Sequence, residues 1–237
     1  MDALQAEDPM AGRWMLRVAE RAAKLATRYH RAKLIGAHHL PTGPALLVGN
    51  HGLYGYETPV FFYLLLQATG RYPLGLADRG FFKLPVFKTV MPLIGGIEGT
   101  PDNALRALNG GGLVVCYPGG AREVFKRPTA RYQLRWEHTS GFVRVAMAAR
   151  VPIIPFAGHG IDDIFAVSEA LTVRLSKRKR RYTAPLGMPV PLPVRLKFAL
   201  GRPMYPPAPD APGHERLRFR DQVAATVQRL LVRASDA

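Results

Sequence analysis

The chain has 237 residues, 48% of them hydrophobic and 21% charged, a balance that describes a packed globular protein and excludes a disordered one. Its 33 lysines and arginines against 17 acids give a formal charge of +16, so anionic partners are expected: lipid headgroups, phosphorylated co-substrates or nucleic acid. A single cysteine, Cys116, excludes an internal disulfide and any cysteine-rich zinc site, and no metal site is expected. The first eight residues are acidic and carry no signal-peptide pattern. Residues 10–33 read as an amphipathic helix. Met15, Val18, Ala22, Leu25 and Tyr29 form an apolar stripe, and Arg17, Arg21, Lys24, Arg28 and Arg31 form a basic one. Such a helix either lies in the plane of an anionic bilayer, with Trp14 near its start, or packs its apolar stripe on its own domain.

Residues 34–237 read as one domain. A turn over 38–44 leads into an apolar strand, 45–48, which ends at Gly49-Asn50-His51. A helix is expected from about Glu57 to Thr69, with Glu57 in the first turn, where negative charge suits the dipole. Its run Val60-Phe61-Phe62-Tyr63-Leu64-Leu65-Leu66 is the longest apolar stretch, far short of the roughly 20 residues that span a bilayer. With Phe81 and Phe82 it either lines an acyl groove or is simply core. A strand at 74–77 and a short amphipathic piece at 82–90 follow. Thr100 caps another helix with Pro101 in its first turn. Then come a strand at 112–116, a glycine turn at 119–120, a helix at 139–149 and strands at 153–157 and 194–200. A closing helix covers 213–234. The tracts 185–193 and 203–212 read as surface connections. Alternating strands and helices imply an α/β sheet with a substantial parallel part.

Two strand ends carry the chemistry. His51, delivered to the carboxyl end of the first strand, is placed to act as a general base, and Glu57, six residues on, is placed to orient its imidazole. The alternative for His51 is a capping or core histidine. The second strand ends in Tyr117-Pro118-Gly119-Gly120-Ala121-Arg122-Glu123, a glycine turn followed by a cation, suited to an anion or a developing oxyanion. Gly119 and Gly120 let backbone N–H groups approach that oxygen, and Arg122 either holds an anion or pairs with Glu123 or another neighbour. Asn50, Tyr117, Glu123 and Glu98 are further candidates for substrate contact. Cys116 lies inside a core strand and reads as a buried structural thiol. The cationic run 177–181 is compatible with anionic lipid, a solvated loop or nucleic acid.

These motifs, in this order and followed by Val151-Pro152-Ile153-Ile154-Pro155-Phe156, resemble the glycerolipid and lysophospholipid acyltransferase superfamily. That superfamily usually shows His-x4-Asp, Phe-Pro-Glu-Gly-x-Arg and Val-Pro-Ile-x-Pro. The His-x5-acid spacing and Tyr-Pro-Gly-Gly-x-Arg-Glu are more similar to its diacylglycerol-acyltransferase-like and phytyl ester synthase branch. Tyr132-Gln133-Leu134-Arg135-Trp136, Gly141-Phe142-Val143-Arg144 and Asp162-Asp163-Ile164 look like further pieces of that branch. The resemblance covers about residues 34–205.

The resemblance implies a single-domain glycerolipid acyltransferase-like fold, with a mixed, largely parallel sheet flanked by helices. It implies a membrane-surface O-acyltransferase that moves a fatty acyl group from acyl-CoA or acyl carrier protein to a lipid hydroxyl. No cofactor is implied beyond that thioester co-substrate. Partners are the donor, a lipid acceptor and an anionic membrane surface, on the cytoplasmic face and without a transmembrane helix. Two departures matter. Gly119 stands where the commoner pattern has an acid, and Glu98 stands in the block where phosphate-acceptor members carry a cation. Glu98 would repel a phosphate, which favours a neutral acceptor over lysophosphatidate, the alternative. A serine esterase is disfavoured because no Gly-x-Ser-x-Gly elbow occurs. A basic nucleic-acid-binding protein is disfavoured because no helix-turn-helix, RRM or zinc-finger signature accompanies the charge.

Overall fold

The computed structural model describes residues 9–236 except 84, 137, 138, 178, 179, 188 and 189. The first elements are α1 (Pro9–Tyr29), β1 (Lys33–Ile35), β2 (Ala45–Gly49), α2 (Glu57–Thr69) and β3 (Leu74–Ala77). They are followed by α3 (Pro85–Leu93), β4 (Gly96–Glu98), α4 (Pro101–Asn109), β5 (Leu113–Cys116), α5 (Ala121–Val124) and α6 (Gly141–Ala149). The chain ends with β6 (Ile153–His159), the hairpin β7 (Val167–Lys177) and β8 (Arg180–Gly187), β9 (Lys197–Leu200) and α7 (Gly213–Asp236).

Seven strands form one sheet in the order β1-β9-β6-β2-β5-β3-β4. From β6 to β4 neighbouring strands run parallel; β9 pairs antiparallel with β6, and β1 runs parallel to β9. The sheet is therefore mixed and largely parallel, and helices cover both faces. The central strand β2 is buried along its whole length, as expected where both faces are covered. Alternation sends Leu46 and Val48 to one face, with α4, α6 and α7. Ala45 and Leu47 go to the other, with α2. On α2, Val60, Phe61, Phe62 and Leu65 are all buried in that second core, so packing accounts for the aromatic run. The side chain of Phe81 lies outside the described residues.

Thr100 caps α4 through a bond from Asn103 N–H, with Pro101 at the start, as its sequence requires. Two strands, β1 and β4, have only three residues and give no periodic signal. The β7–β8 hairpin forms a separate two-stranded sheet, and β8 takes in the first residues of the tract expected to be a surface connection. Of the cationic run 177–181, Arg178 and Lys179 lie outside the described residues.

The first helix packs on α2 through a different face from the one its apolar stripe marks. Ala19, Ala23, Ala26, Thr27 and His30 are the buried or half-buried positions, spaced three and four apart. Their small side chains let the two helices approach closely. Val18, Ala22, Leu25 and Tyr29 point outward, Leu25 with 70% of its surface exposed, and Trp14 is 66% exposed. Arg17, Arg21, Lys24, Arg28 and Arg31 are exposed beside them. The side chain of Met15 lies outside the described residues. Among the described residues, no helix is long and apolar enough to cross a membrane.

Candidate active site

The site lies at the carboxyl ends of the parallel strands, where α/β sheets place their ligands. Asn50, directly after β2, is buried and spends its amide on β6. Its Nδ2 donates to Gly158 O at 3.0 Å, and its Oδ1 accepts from Gly158 N–H at 2.8 Å. That reciprocal pair extends the β2–β6 ladder by one side-chain rung and fixes where His51 leaves the strand.

From there the chain makes one tight turn. Tyr54 and Gly55 both have left-handed backbones, φ 61° and 66°, which brings the start of α2 back beneath His51. His51 Nδ1–H donates to Glu57 Oε1 at 2.6 Å, and Gly52 N–H donates to the same oxygen at 3.1 Å. Glu57 is 1% exposed and His51 17%. Burial alone would raise the Glu57 carboxyl; the charge and hydrogen bond of His51, with backbone N–H bonds, more than reverse it, and the net direction is down. An ionised carboxylate can only accept, so Nδ1 keeps its proton and Nε2 presents its lone pair. A Cβ on Gly55 would stand 3.1 Å from His51 Cε1 and 3.6 Å from Nε2. Glycine at this position leaves that edge of the imidazole open.

The second motif closes over the other side of the ring. Tyr117 stacks on His51 with centroids 4.0 Å apart and planes 13° from parallel. Its hydroxyl bonds Thr58 Oγ1 at 3.1 Å, a contact that the residue types alone did not mark. Burial pushes the Tyr117 phenol well above its usual value, so it stays neutral. The next residues form a turn in which Gly120 N–H donates to Tyr117 O at 3.1 Å. The backbone of Gly120, φ 50° and ψ −136°, is one that L side chains rarely adopt. Arg122 donates to Thr139 Oγ1 at 2.8 Å. Glu123 is completely buried beneath the turn. Behind it, Lys126 and Asp162 form a buried ion pair at 2.7 Å, and Asp162 also accepts from Tyr132 N–H at 2.6 Å. The hydroxyl of Tyr132 donates to Asp163. A pocket lined by Leu53, Glu123, Lys126, Arg127, Arg131 and Asp162 opens alongside.

The remaining candidates sit further out. Glu98 ends β4 and pairs with Arg79 Nε at 3.1 Å, both partly exposed. Three strand steps separate β4 from β2, about 14 Å at the usual spacing. Glu98 is thus a residue of the outer site, and its charge is offset by Arg79. Burial raises the Cys116 thiol to about 12, which keeps it protonated and unsuited to nucleophilic work. No group of three or more metal-ligating side chains occurs among the described residues. One connection escaped the sequence reading altogether. His30, completely buried at the end of α1, bonds Val194 O at 3.0 Å and Tyr56 Oη at 3.2 Å, which ties α1 to the residue before Glu57.

Comparison with known proteins gives a consistent picture. A family model described as Acyltransferase matches residues 31–158, a span holding His51, Glu57, Glu98 and the 117–123 block. The Homo sapiens protein named "DGAT1/2-independent enzyme synthesizing storage lipids" is 31% identical over 182 residues, which is 76% of this chain and 55% of that protein. "Phytyl ester synthase 2, chloroplastic" from Arabidopsis thaliana is 34% identical over 129 residues, 52% of this chain and 18% of that one. The chain spans about half the length of the storage-lipid enzymes it matches. Among solved structures, the 1-acyl-sn-glycerophosphate (LPA) acyltransferase PlsC from Thermotoga maritima superimposes with a TM-score of 0.57 at 15% identity, over 96% of this chain and 84% of that one. At that identity the likeness speaks for the fold.

Proposed function

The chain belongs to the Acyltransferase family, and from that premise we propose that it moves a fatty acyl group from a thioester to a lipid hydroxyl at a membrane surface. The observation that carries this reading is the His51–Glu57 pair at 2.6 Å, with Nε2 open beside a glycine turn. His51 Nε2 takes the proton of the acceptor hydroxyl as its oxygen attacks the thioester carbonyl. Glu57 stabilises the imidazolium, and general-base help of this kind is typically worth ~10²–10⁴-fold. The carbonyl electrons move to oxygen, where the N–H groups of Gly119 and Ala121 support the charge, that of Gly120 being spent on Tyr117 O. Collapse of the intermediate breaks the C–S bond, and the imidazolium returns its proton to the departing thiolate.

The donor in this reading is acyl-CoA or acyl carrier protein. The exposed Arg127, on the pocket beside Glu123, supports a phosphate-bearing donor; Arg131 on the same pocket pairs with Asp163 at 3.2 Å. A neutral acceptor, a mono- or diacylglycerol or a long-chain alcohol, is favoured by the names of the storage-lipid and phytyl ester relatives. Lysophosphatidate stays as the second reading because Arg79 offsets the repulsion expected of Glu98. The exposed stripes of α1 support a peripheral seat on anionic lipid, with Val18, Leu25 and Tyr29 entering the interface and the cations facing headgroups.

The test is thiol release from acyl-CoA by the purified protein on mixed micelles, with acceptors supplied one at a time. Release driven by diacylglycerol or a fatty alcohol but not by lysophosphatidate supports the neutral-lipid reading. Release driven by lysophosphatidate alone replaces it with phospholipid synthesis. No release with any acceptor, from either acyl-CoA or acyl carrier protein, sinks acyl transfer.

A further inference from the structure

The two glycines of the 117–123 block are glycine for different reasons. At Gly120 the reason is the backbone: φ is 50°, and a Cβ there would meet nothing within 4 Å. At Gly119 φ lies outside the positive range, so no left-handed backbone calls for glycine. What forbids a side chain is Glu123. A Cβ on residue 119 would stand 2.3 Å from Glu123 Oε2, 2.6 Å from its Cδ and 2.8 Å from its Cβ. Residues 119 and 123 thus compete for one volume, and Glu123 fills it.

That volume lies directly beneath the turn. The Glu123 carboxyl has no exposed surface, and from its far side it accepts long hydrogen bonds from Arg135 N–H and Trp136 Nε1–H, both at 3.4 Å. Above it, Arg122 N–H donates to Gly119 O at 3.2 Å, and Glu123 N–H donates to Gly120 O at 3.0 Å. The same turn begins at Tyr117, whose ring is stacked on His51. A carboxyl wedged at this point sets the height of the 119–121 backbone relative to the imidazole. A buried acid with two long hydrogen bonds among the described residues is expensive to keep, even with the charges of Lys126 and His51 near it, so its presence calls for a reason beyond filling space.

We propose that Glu123 is a positioning residue. Its carboxyl fills the single volume shared with residue 119 and so holds the Gly119–Gly120 turn against His51 for transfer. The acid that the commoner Phe-Pro-Glu-Gly pattern carries at the position of Gly119 is here supplied from one helical turn further on. In this role Glu123 acts through the turn it supports and not on the reacting atoms. This rests on the acyl-transfer reading above.

The test is a swap, with Glu123→Gly, Gly119→Glu, the double variant Gly119→Glu/Glu123→Gly, and Glu123→Gln, each followed by kcat, donor KM and thermal midpoint. Glu123→Gly is expected to lower kcat by about 10²-fold, the scale of an ångström-sized misplacement, while donor KM stays within about twofold. Gly119→Glu alone is expected to lower both kcat and the melting midpoint, because two side chains claim one space. The double variant is expected to recover at least about tenfold in kcat over Glu123→Gly and most of the melting midpoint, a strongly non-additive cycle. Glu123→Gln, of the same shape, is expected to keep kcat within about threefold.

A folded Glu123→Gly with full kcat overturns the proposal, as does a double variant no better than Glu123→Gly. So does a folded Glu123→Gln as impaired as Glu123→Gly. Wild-type protein that turns over no thioester sinks the acyl-transfer reading instead. The melting midpoints of the four variants still decide whether the two positions share one volume.

Discussion

Replacing Glu123 by glutamine should stabilise the protein at alkaline pH and change little in acid. Burial raises the Glu123 carboxyl from 4.5 to about 7; the charges of Lys126 and His51 and the bonds from Arg135 and Trp136 offset that only in part. The folded chain therefore holds a proton that the unfolded chain releases as pH passes 4.5. Stability linked to that proton is whole below the unfolded value and is lost as pH climbs to about 7. The gap between 4.5 and about 7 amounts to roughly 3 kcal/mol at full ionisation. Glutamine keeps the shape and never ionises, so it escapes this loss. A chain of 237 residues unfolds with an entropy of about 0.5 kcal/mol/K, which makes the difference about 6 °C. The assay is thermal unfolding of both proteins by circular dichroism at several pH values. The midpoint of Glu123→Gln minus that of wild type should grow by about 5 °C between pH 5 and pH 8. Titrations of other residues largely cancel in this subtraction. A difference that stays flat across the range would show that Glu123 does not ionise in a buried site, and the reasoning would fail.

Three further outcomes are expected. Glu57→Gln presents an N–H to His51 Nδ1, which moves the ring proton to Nε2, and transfer should fall by ~10²–10⁴-fold with vesicle binding intact. The same substitution should narrow the stability gap in acid. The Glu57 carboxyl is lowered in the fold, so its contribution is present above the ordinary carboxylate range and is lost as pH falls through the folded value. Equal turnover, or a gap independent of pH, would remove Glu57 from the site. On α1, reversing Arg17, Arg21, Lys24 and Arg28 to glutamate should abolish sedimentation with phosphatidylglycerol vesicles, at about 1 kcal/mol lost for each cation removed. Unchanged sedimentation would move the membrane contact elsewhere. Point substitutions are needed because His30, β1 and the alanine face join this helix to the domain. Finally, native Cys116 should resist a thiol reagent at pH 8 and react only on unfolding, since its thiol is held up to about 12. Prompt labelling of active protein would contradict a protonated, poorly reactive thiol at this half-buried position.

Much of this was legible in the residues because local rules and tertiary structure agree. An apolar run of four ending at Gly-Asn-His is a central strand with both faces covered, and Glu57 opens a helix, so its side chain returns to the turn it has just left. What stayed hidden has identifiable causes. Strands β1 and β4 are three residues long, too short for any period to show. The apolar stripe of α1 suggested a docking face, and the fold docks through the alanines instead. A helix docks closely through Ala19, Ala23 and Ala26, and the larger residues are left outside. Nothing in the spacing of His30 and Tyr56, or of Thr58 and Tyr117, announces a contact between segments so far apart in the chain. The place of Glu123 was hidden for a simpler reason. A buried acid and a surface acid look alike in sequence, and only the space denied to residue 119 sets them apart.

The two ends of the sheet obey different rules, and the difference argues for where the chemistry lies. At the amino ends of β2 and β5, Arg71 donates to the carbonyls of Pro41, Gly43 and Gly111, at 3.1, 2.9 and 2.6 Å. Strands there are tied off and their loop carbonyls satisfied. At the carboxyl ends the fold accepts one unfavourable feature after another. Tyr54 takes a left-handed backbone at a cost of order 1–3 kcal/mol. Glu57 is buried with Oε2 bonding no group among the described residues, and Glu123 is buried on two long hydrogen bonds. A sequence selected for stability alone would remove these features with single substitutions, glycine at 54 or glutamine at 123 among them. They stand instead within one turn of His51 or beneath the loop that stacks on it. Arg150 is also left-handed, at the turn before β6, but the buried acids with few partners gather at the edge that holds His51, which marks a site shaped for reaction.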